Sequence, residues 1–169
     1  MNIVIVTGGN INKEFLQKIL KENKYDKIIA ADKGLEILNK IDIKPDYIIG
    51  DFDSVNKEIL EYYKNIPITY LKPEKDFTDT HMALKLAIEQ GAKKITITGA
   101  IGTRFDHSIA NIHILKEALE NNIETEIIDE HNKIKLINED VIIKKDDNYK
   151  YVSLIPLTTQ VKRLSLIHI

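Results

Sequence analysis

The chain has 169 residues, of which 43% are hydrophobic, and this length can bury one good core with a small second one attached. Its 24 basic and 26 acidic side chains give a formal net charge of -2, which leaves no basic footprint for holding a nucleic-acid backbone. The absence of cysteine excludes disulfides, zinc-thiolate sites and cysteine nucleophiles, and it fits a reducing cytoplasm.

Up to about residue 130, short β-rich runs alternate with segments of helical period. This alternation is typical of parallel strands joined by crossover helices, so it predicts an α/β domain with a doubly wound, mostly parallel sheet over residues 1–130. The strands are predicted at residues 3–7, 27–31, 47–50, 68–71, 94–98 and 125–128.

Helices are predicted between these strands. The first has an apolar stripe that starts at Ile11, and the second covers residues 34–41. A third follows Thr78 and ends at Gly91. The helix after Asp106 is predicted to end at Asn121 and Asn122 and to bury five apolar side chains, which are Ile109, Ile112, Leu115, Ala118 and Leu119.

After about residue 131 the helical period disappears. The runs NKIKLIN, DVIIKKDD, KYVSLIPL and VKRLSLIHI predict successive short strands with polar turns between them. Such a series favours a small antiparallel sheet or half sandwich over residues 131–169. The change of pattern places a domain boundary near residue 130.

The first residues, MNIVIVTGGN, lack a basic leader followed by a long apolar segment. No later apolar run approaches the length of a membrane span. We therefore expect a cytoplasmic protein with no membrane partner.

Acidic side chains directly follow two of the predicted strands. Asp51 and Asp53 come after the apolar run YIIG, and an extended backbone would put both carboxylates on one face, roughly 7 Å apart at the Cα atoms. Such a pair can share one hard cation or hold two, whereas the alternative is an Asp-rich turn. Asp32 ends the KIIAAD run and is a further candidate for binding the cation. The alternative is that Asp32 caps the next helix. In open α/β sheets, ligands bind outside the carboxyl ends of the strands.

The KDFTD run at residues 75–79 precedes a predicted helix. In the simpler interpretation, Thr78 or Asp79 caps that helix. A helix N-terminus also offers free N–H groups and a positive dipole end, which favour phosphate. The same segment can therefore supply Asp79 to a metal and Thr78 to a phosphate oxygen.

The GAIGTRFDH run follows the strand KITIT. Gly99 and Gly102 allow close approach of the backbone to a ligand, and Arg104 presents a planar fork that suits phosphate oxygens. The alternative is a tight turn with a surface pair of Arg104 and Asp106. The chain has neither a G-x-G-x-x-G run here nor a GKS or GKT phosphate loop, so a Walker-type nucleotide fold is disfavoured.

Together these clusters resemble the thiamine pyrophosphokinase (thiamine diphosphokinase) family. The family pattern of A-D-x-G, P-D-x-I-x-G-D-x-D-S, K-D-x-T-D and G-x-x-G-x-R-x-D-H is matched in order at residues 31–34, 45–54, 75–79 and 99–107. The resemblance covers residues 1 to about 160. It implies an α/β domain followed by a β-sandwich in a homodimer, and transfer of the pyrophosphoryl group of ATP to the hydroxyl of thiamine, giving thiamine diphosphate and AMP.

The resemblance also implies a metal site. Asp51, Asp53 and Asp79 would hold magnesium, with Asp32 as a fourth candidate. The sequence does not decide between magnesium and manganese, nor how many ions bind.

The remaining implied residues act on the nucleotide and on the proton of the thiamine hydroxyl. Arg104 would clamp the phosphates, and either Asp106 or Asp76 would accept the proton. The residues expected to contact the nucleotide are Gly8, Gly9, Lys33, Thr78, Gly99, Gly102, Thr103, Arg104 and His107.

Two features keep other interpretations open. In the family the β domain continues well past the position of residue 169, so we expect an incomplete thiamine pocket here. One alternative is therefore an inactive module that binds ATP and thiamine. The D-x-D pair also occurs in phosphatases of the haloacid dehalogenase type, where it follows the first strand rather than the third. Nucleotide-sugar transferases that hold manganese with D-x-D are a further alternative, but they do not account for KDFTD or GTRFD.

Overall fold

The computed structural model describes residues 1–53, 55–71, 77–161 and 164–165. The strands are β1 (Asn2–Val6), β2 (Lys27–Ala31), β3 (Tyr47–Gly50), β4 (Ile68–Tyr70), β5 (Lys94–Thr98), β6 (Glu124–Ile128) and β7 (Lys133–Lys135). The helices are α1 (Lys13–Glu22), α2 (Gly34–Lys40), α3 (Lys57–Tyr62), α4 (Asp79–Glu89), α5 (Phe105–His113) and α6 (Leu115–Glu120). No helix within the described ranges is long and apolar enough to cross a lipid bilayer.

The strands form one seven-stranded sheet in the order β4-β3-β2-β1-β5-β6-β7. Every neighbouring pair is parallel except β6 and β7, which are antiparallel. The chain builds outward from β1 to β4 and then crosses to β5 on the other side of β1. The predicted doubly wound α/β fold is therefore confirmed, and its switch point lies between the carboxyl ends of β1 and β5.

Helices cover both faces of the sheet. Successive residues of β1 point to opposite sides, so that Ile3 and Ile5 join one core cluster while Val4 and Val6 join the other. Helices α4 and α6 pack on the first face, and α1 and α2 pack on the second. Burial on both faces is the reason why β1, β2 and β3 appear in the sequence as nearly continuous apolar runs.

Local signals set the helix ends. Asn12 caps α1 by accepting hydrogen bonds from two backbone N–H groups of the first turn. Gly91 follows α4 with φ 77°, and Asn122 follows α6 with φ 57°, both in the left-handed region that ends helices. The predicted ends of these two helices are thus confirmed.

Two helical predictions need correction. The helix predicted after Asp106 is divided into α5 and α6 at Ile114, which itself keeps helical angles (φ -65°, ψ -19°). Ile109 was expected in the core but is 40% exposed. The sequence did not predict α3, because none of its residues is buried and its apolar period is correspondingly weak.

The C-terminal part also differs from expectation. NKIKLIN supplies β7, which pairs with β6 so that Ile127 lies opposite Ile134. The described residues of DVIIKKDD and KYVSLIPL form no strand, so these predictions were wrong, and VKRLSLIHI lies mostly outside the described residues. A β-rich run becomes a strand only when a neighbouring strand pairs with it and buries one face, whereas Ile142 and Tyr151 here are exposed. The separate domain over residues 131–169 stays a prediction.

Candidate active site

Two glycine loops meet at the switch point of the sheet. The backbone N–H of Gly9, after β1, donates a hydrogen bond of 2.9 Å to the carbonyl of Gly99, after β5. A Cβ atom on Gly9 would lie only 2.1 Å from that carbonyl oxygen, so no larger residue fits. Gly102 is also close, since its Cβ would lie 3.7 Å from the Cα of Gly9.

The start of α2 lies against the same point. A Cβ on Gly34 would lie 1.9 Å from the carbonyl oxygen of Val6, at the end of β1. A Cβ on Gly8 would lie 2.9 Å from the Cβ of Lys33. The structure therefore brings together five of the predicted nucleotide-contacting residues, namely Gly8, Gly9, Lys33, Gly99 and Gly102.

Asp32 sits beside the end of the next strand. It has a left-handed backbone angle, φ 49°, and its N–H donates to the carbonyl of Ile49 at 2.9 Å. A Cβ on Gly50 would lie 3.3 Å from the Cα of Asp32. Asp32 and Asp51 thus leave adjacent strands side by side, as two candidate metal ligands should. The N-cap of α2 is Lys33 rather than Asp32.

The pair of Asp51 and Asp53 is not extended. Phe52 between them has φ 59°, and the N–H of Asp53 donates to Oδ1 of Asp51 at 3.2 Å. The Asp-rich turn is therefore the observed geometry, and the spacing expected for an extended pair does not apply. The ring of Phe52 is buried and packs edge-on against Tyr70, with ring centroids 5.4 Å apart, which holds the turn in place.

Helix α4 presents its N-terminus at the same edge, because a crossover helix runs back from the carboxyl end of one strand. Thr78 is its N-cap and accepts a hydrogen bond of 3.2 Å from the N–H of His81, so the capping interpretation is confirmed. Asp79 is the first helical residue. The Nε2 atom of His81 is hydrogen-bonded to Glu117 of α6, which fixes this first turn.

Glu117 also forms an ion pair of 3.1 Å with Lys85. Partial burial acts to raise the pKa of the Glu117 carboxyl, but the hydrogen bonds from His81 and Lys85 outweigh it and leave the pKa below its usual value. A carboxylate that stays charged keeps α4 and α6 connected near the site.

Arg104 and Asp106 form a forked ion pair at the exit of β5. Nη2 of Arg104 lies 2.6 Å from Oδ2 of Asp106, and Nε lies 3.3 Å from Oδ1. Hydrogen bonding to the guanidinium holds the pKa of Asp106 below its usual value, and the same bond raises the pKa of Arg104. Both side chains are about two-thirds exposed, and His107 and Thr103 beside them are exposed too. Arg104 and Asp106 thus form the surface ion pair that was the alternative to phosphate binding. The pair lies at the sheet edge where a phosphate ligand is predicted.

A groove opens beside this pair, along α5 and α6, and His81 of α4 also lines it. It has a volume of about 530 Å³, and its lining includes His81, Asp106, Ile109, His113 and Glu117. Ile109 is exposed because it faces this groove rather than the core.

Sequence reasoning missed three buried polar side chains that contact the loop after β5. Thr7, Ser108 and Asn111 each donate a hydrogen bond to a backbone carbonyl of that loop. The one hint in the sequence is that Ser108 and Asn111 lie three residues apart, and therefore on one face of a helix. The partners of Thr7 and Asn111 belong to another segment, and the partner of Ser108 is a backbone carbonyl at the start of its own helix, so no motif marks these residues.

The four aspartates predicted to bind metal have side chains that suit magnesium. All four predicted ligands are carboxylates, which are the hard oxygen donors that this ion prefers. Among the described residues, no three histidine, cysteine or acidic side chains come close enough to hold an ion by themselves. Magnesium is commonly held by one or two carboxylates together with substrate phosphates and water, so the set fits an ion that binds with a polyphosphate. Asp76, a candidate proton acceptor, lies outside the described residues.

A family model described as thiamin pyrophosphokinase, catalytic domain, matches residues 16–127, more than half of the chain. The chain belongs to the thiamin pyrophosphokinase family. The resemblance seen in the motifs is therefore confirmed at the level of the family.

Individual relatives agree with this assignment. A thiamine pyrophosphokinase of Bacillus subtilis is 36% identical over 141 residues, which cover 82% of this chain and 66% of the relative. The crystal structure of the thiamine pyrophosphokinase from Bacillus subtilis superposes with a TM-score of 0.68 at 30% identity, covering 80% of this chain and 63% of that one. The corresponding protein of Geobacillus thermodenitrificans gives 0.67 at 29% identity, covering 80% and 62%. The chain thus spans slightly less than two thirds of the length of these relatives.

Proposed function

We propose that this chain is a thiamine diphosphokinase, which transfers the pyrophosphoryl group of ATP to the hydroxyl of thiamine and releases AMP. The observation that carries the proposal is the meeting of the β1 and β5 glycine loops with the exits of β2 and β3, in a chain of this family. Ligands of open α/β sheets bind at such a switch point.

The polyphosphate of ATP would lie across the glycine loops. Gly8, Gly9, Gly99 and Gly102 leave room for a close approach to the backbone, and Arg104 supplies charged donors. The other proposed nucleotide contacts, from separate elements around the same edge, are Lys33, Thr78, Thr103 and His107.

Magnesium would be held by Asp51, Asp53 and Asp79, with Asp32 as the fourth candidate. When bound, the ion would neutralise charge on the phosphate oxygens. The carboxylates of Asp32 and Asp51 leave neighbouring strands, and Asp79 begins a helix that packs on β2 and β3, which supports a shared role.

The reaction itself needs positioning and charge stabilisation. The thiamine oxygen forms a bond to the β-phosphorus, while the bond from that phosphorus to the oxygen bridging it to the α-phosphate breaks, and AMP leaves with that oxygen. The hydroxyl proton passes to a carboxylate, either Asp106 or Asp76. The pair with Arg104 lowers the pKa of Asp106 and so makes it a weaker base, while it also restrains the guanidinium at the exit of β5.

The family resemblance further supports a homodimer in the cytoplasm, with ATP and thiamine as small-molecule substrates and without nucleic-acid or membrane partners. The balanced charge of the chain agrees with the absence of a nucleic-acid partner.

The test incubates the purified chain with ATP, magnesium and thiamine and follows AMP and thiamine diphosphate by chromatography. We expect both products in equal amounts, and neither without thiamine. Binding of ATP with magnesium but no product would refute catalysis and leave the inactive binding module. Hydrolysis of simple phosphate esters with a phosphorylated Asp51 would instead support the phosphatase alternative.

A further inference from the structure

Two buried side chains hold carbonyl groups at the start of the loop after β5, residues 99–104, which we call the β5 loop. Oγ1 of Thr7 donates to the carbonyl of Gly99 at 2.8 Å, and Nδ2 of Asn111 donates to the carbonyl of Ala100 at 2.7 Å. The donor residues are only 5% and 6% exposed. The carbonyl of Gly99 also accepts the N–H of Gly9 at 2.9 Å. Both carbonyl oxygens are therefore turned toward protein donors.

Ser108 holds the other end of the β5 loop. Its Oγ donates to the carbonyl of Arg104 at 3.1 Å and accepts the N–H of Gly102 at 3.2 Å. Ser108 is 7% exposed. It thereby connects Gly102 of the loop to Arg104, the N-cap of α5.

The direction of these carbonyls matters for an anionic ligand. A carbonyl oxygen carries partial negative charge and repels phosphate, whereas backbone N–H groups attract it. A glycine-rich loop can rotate its peptide groups at low cost, so its carbonyls stay turned away only if other groups hold them.

We propose that Thr7, Ser108 and Asn111 are positioning residues that keep the carbonyls of Gly99, Ala100 and Arg104 in the β5 loop away from the polyphosphate of the nucleotide. They act through the loop and do not themselves touch the ligand. The inference rests on the proposed function, because it takes ATP as the ligand of this edge.

The bonds of Thr7 and Asn111 differ from ordinary satisfaction of a buried polar side chain, because their carbonyl partners lie in another segment. The bond from Ser108 to Arg104 is the usual one from a helical serine to the carbonyl four residues before it, and the contact of Ser108 with Gly102 reaches into the loop. Three side chains from two separate parts of the chain, the exit of β1 and helix α5, converge on one loop of six residues. Thr125, a buried threonine of the same sheet, instead donates to the carbonyl of Ile123 in its own segment at 3.3 Å. Thr125 therefore provides a matched control.

The test compares Thr7→Val, Thr7→Ser and Thr125→Val. Calorimetry measures the affinity of each for ATP and for inorganic tripolyphosphate, both with magnesium, and urea unfolding measures stability. We expect Thr7→Val to weaken both ligands by roughly three- to tenfold, the usual worth of one hydrogen bond. Thr7→Ser should restore the affinity, and Thr125→Val should leave it unchanged even where it costs similar stability.

Ser108→Ala gives a second, independent variant, with the same expected loss of affinity. The inference is overturned if Thr7→Val and Ser108→Ala bind as wild type does, or if Thr125→Val loses as much affinity as they do. It is also overturned if the wild type binds neither ATP nor tripolyphosphate. A wild type that binds both, with affinity that depends on Thr7 and Ser108, but forms no thiamine diphosphate would refute only the proposed function.

Discussion

Phe52 and Asp32 have left-handed backbone angles at the ends of two adjacent strands. This region costs a residue with a side chain roughly 1–2 kcal/mol, and a bulky residue such as phenylalanine rarely adopts it. The strain persists because the Phe52 ring is buried against Tyr70. Since Asp51 and Asp53 flank that ring, its packing determines where both carboxylates point.

The charge of Asp51 can be tested without changing its shape. Asp51→Asn keeps an oxygen that accepts the N–H of Asp53 but removes the negative charge offered to the ion. We expect kcat/KM to fall by about 100- to 1000-fold, as for loss of one electrostatic contact to the reacting groups. Steady-state kinetics at saturating magnesium provide the measurement.

Asp42→Asn is the matched control for this substitution. Asp42 is exposed and also left-handed, with φ 56°, a conformation that asparagine accepts. The activity of the Asp42→Asn variant should equal that of the wild type. Activity of Asp51→Asn within threefold of wild type would contradict the role of Asp51.

The sequence predicted some site residues and missed others for a physical reason. Gly9 and Gly99 stand in local motifs, and the parallel strands that carry them bring them together. At Asp51 the sequence left an extended pair and an Asp-rich turn open, and the packing of Phe52 decides for the turn. Asn111 was missed because its partner, Ala100, lies across a turn and depends on the path of α5.

At the scale of elements, glycine is needed where α2 crosses the end of β1. Gly34→Ala would put a methyl group 1.9 Å from the carbonyl of Val6, so the helix must shift. We expect a loss of about 3 kcal/mol in the free energy of unfolding. Gly91→Ala, left-handed at φ 77° but with open space around it, should lose only about 1 kcal/mol. Urea unfolding measures the free energy of both variants. A larger loss for Gly91→Ala than for Gly34→Ala would contradict the close contact between Gly34 and Val6.

Elements buried on both faces were the most predictable. All six predicted parallel strands lie within one residue of the observed bounds, because each is a short run with β-branched residues between turn residues. The runs at residues 140–147 and 150–157 have similar composition but no pairing strand among the described residues. Pairing is a long-range property, so the local pattern alone overestimated the strands there.

The attachment of β7 depends on charge. Lys135 of β7 lies 2.7 Å from Glu124 and 3.3 Å from Glu126, both in β6. The hydrogen bond from Lys135 lowers the pKa of Glu124 below 4.5, although partial burial opposes this. Stability from this carboxylate is therefore present above pH 4.5 and is lost as pH falls through the lowered pKa.

Glu124→Gln should remove that dependence. Because Glu124 is 54% exposed, screening limits its contribution, and we expect a loss below about 1 kcal/mol at neutral pH. Compared at neutral pH and in acid below the lowered pKa of Glu124, the difference from wild type should shrink in acid, because the carboxylate is then protonated in both folded and unfolded chains. Urea unfolding at both pH values measures this, with the exposed Glu139→Gln as control. A difference that stays constant with pH would refute the charge effect.

At the scale of the whole molecule, the sheet collects residues that are far apart in the chain. Gly9, Asp32, Asp51 and Gly99 each follow a different strand, and the parallel arrangement brings all four strand ends to one edge. In the doubly wound order β1 and β5 are adjacent, hydrogen-bonded strands. The glycine loops that follow them therefore lie side by side. Global topology thus produces the candidate site from four short motifs.

One stretch of the molecule exposes an unusual amount of apolar surface. The large side chains that are at least half exposed between residues 141 and 155 are Val141, Ile142, Ile143, Tyr151, Val152 and Ile155. Such exposure is typical of a surface that associates with other protein. The proposed homodimer would cover it with a second copy of the chain.

We therefore expect the purified chain to be a dimer at micromolar concentration and Ile142→Lys or Ile155→Lys to make it monomeric. These residues are 75% and 86% exposed, so a charge there leaves the folded monomer intact while it opposes burial against a partner. Tyr62→Lys, at a position that is 70% exposed on α3, is the matched control and should remain dimeric. Light scattering across a concentration series measures the mass. A monomeric wild type, or a dimer that tolerates both lysines, would mean that copies of this chain do not associate through this stretch.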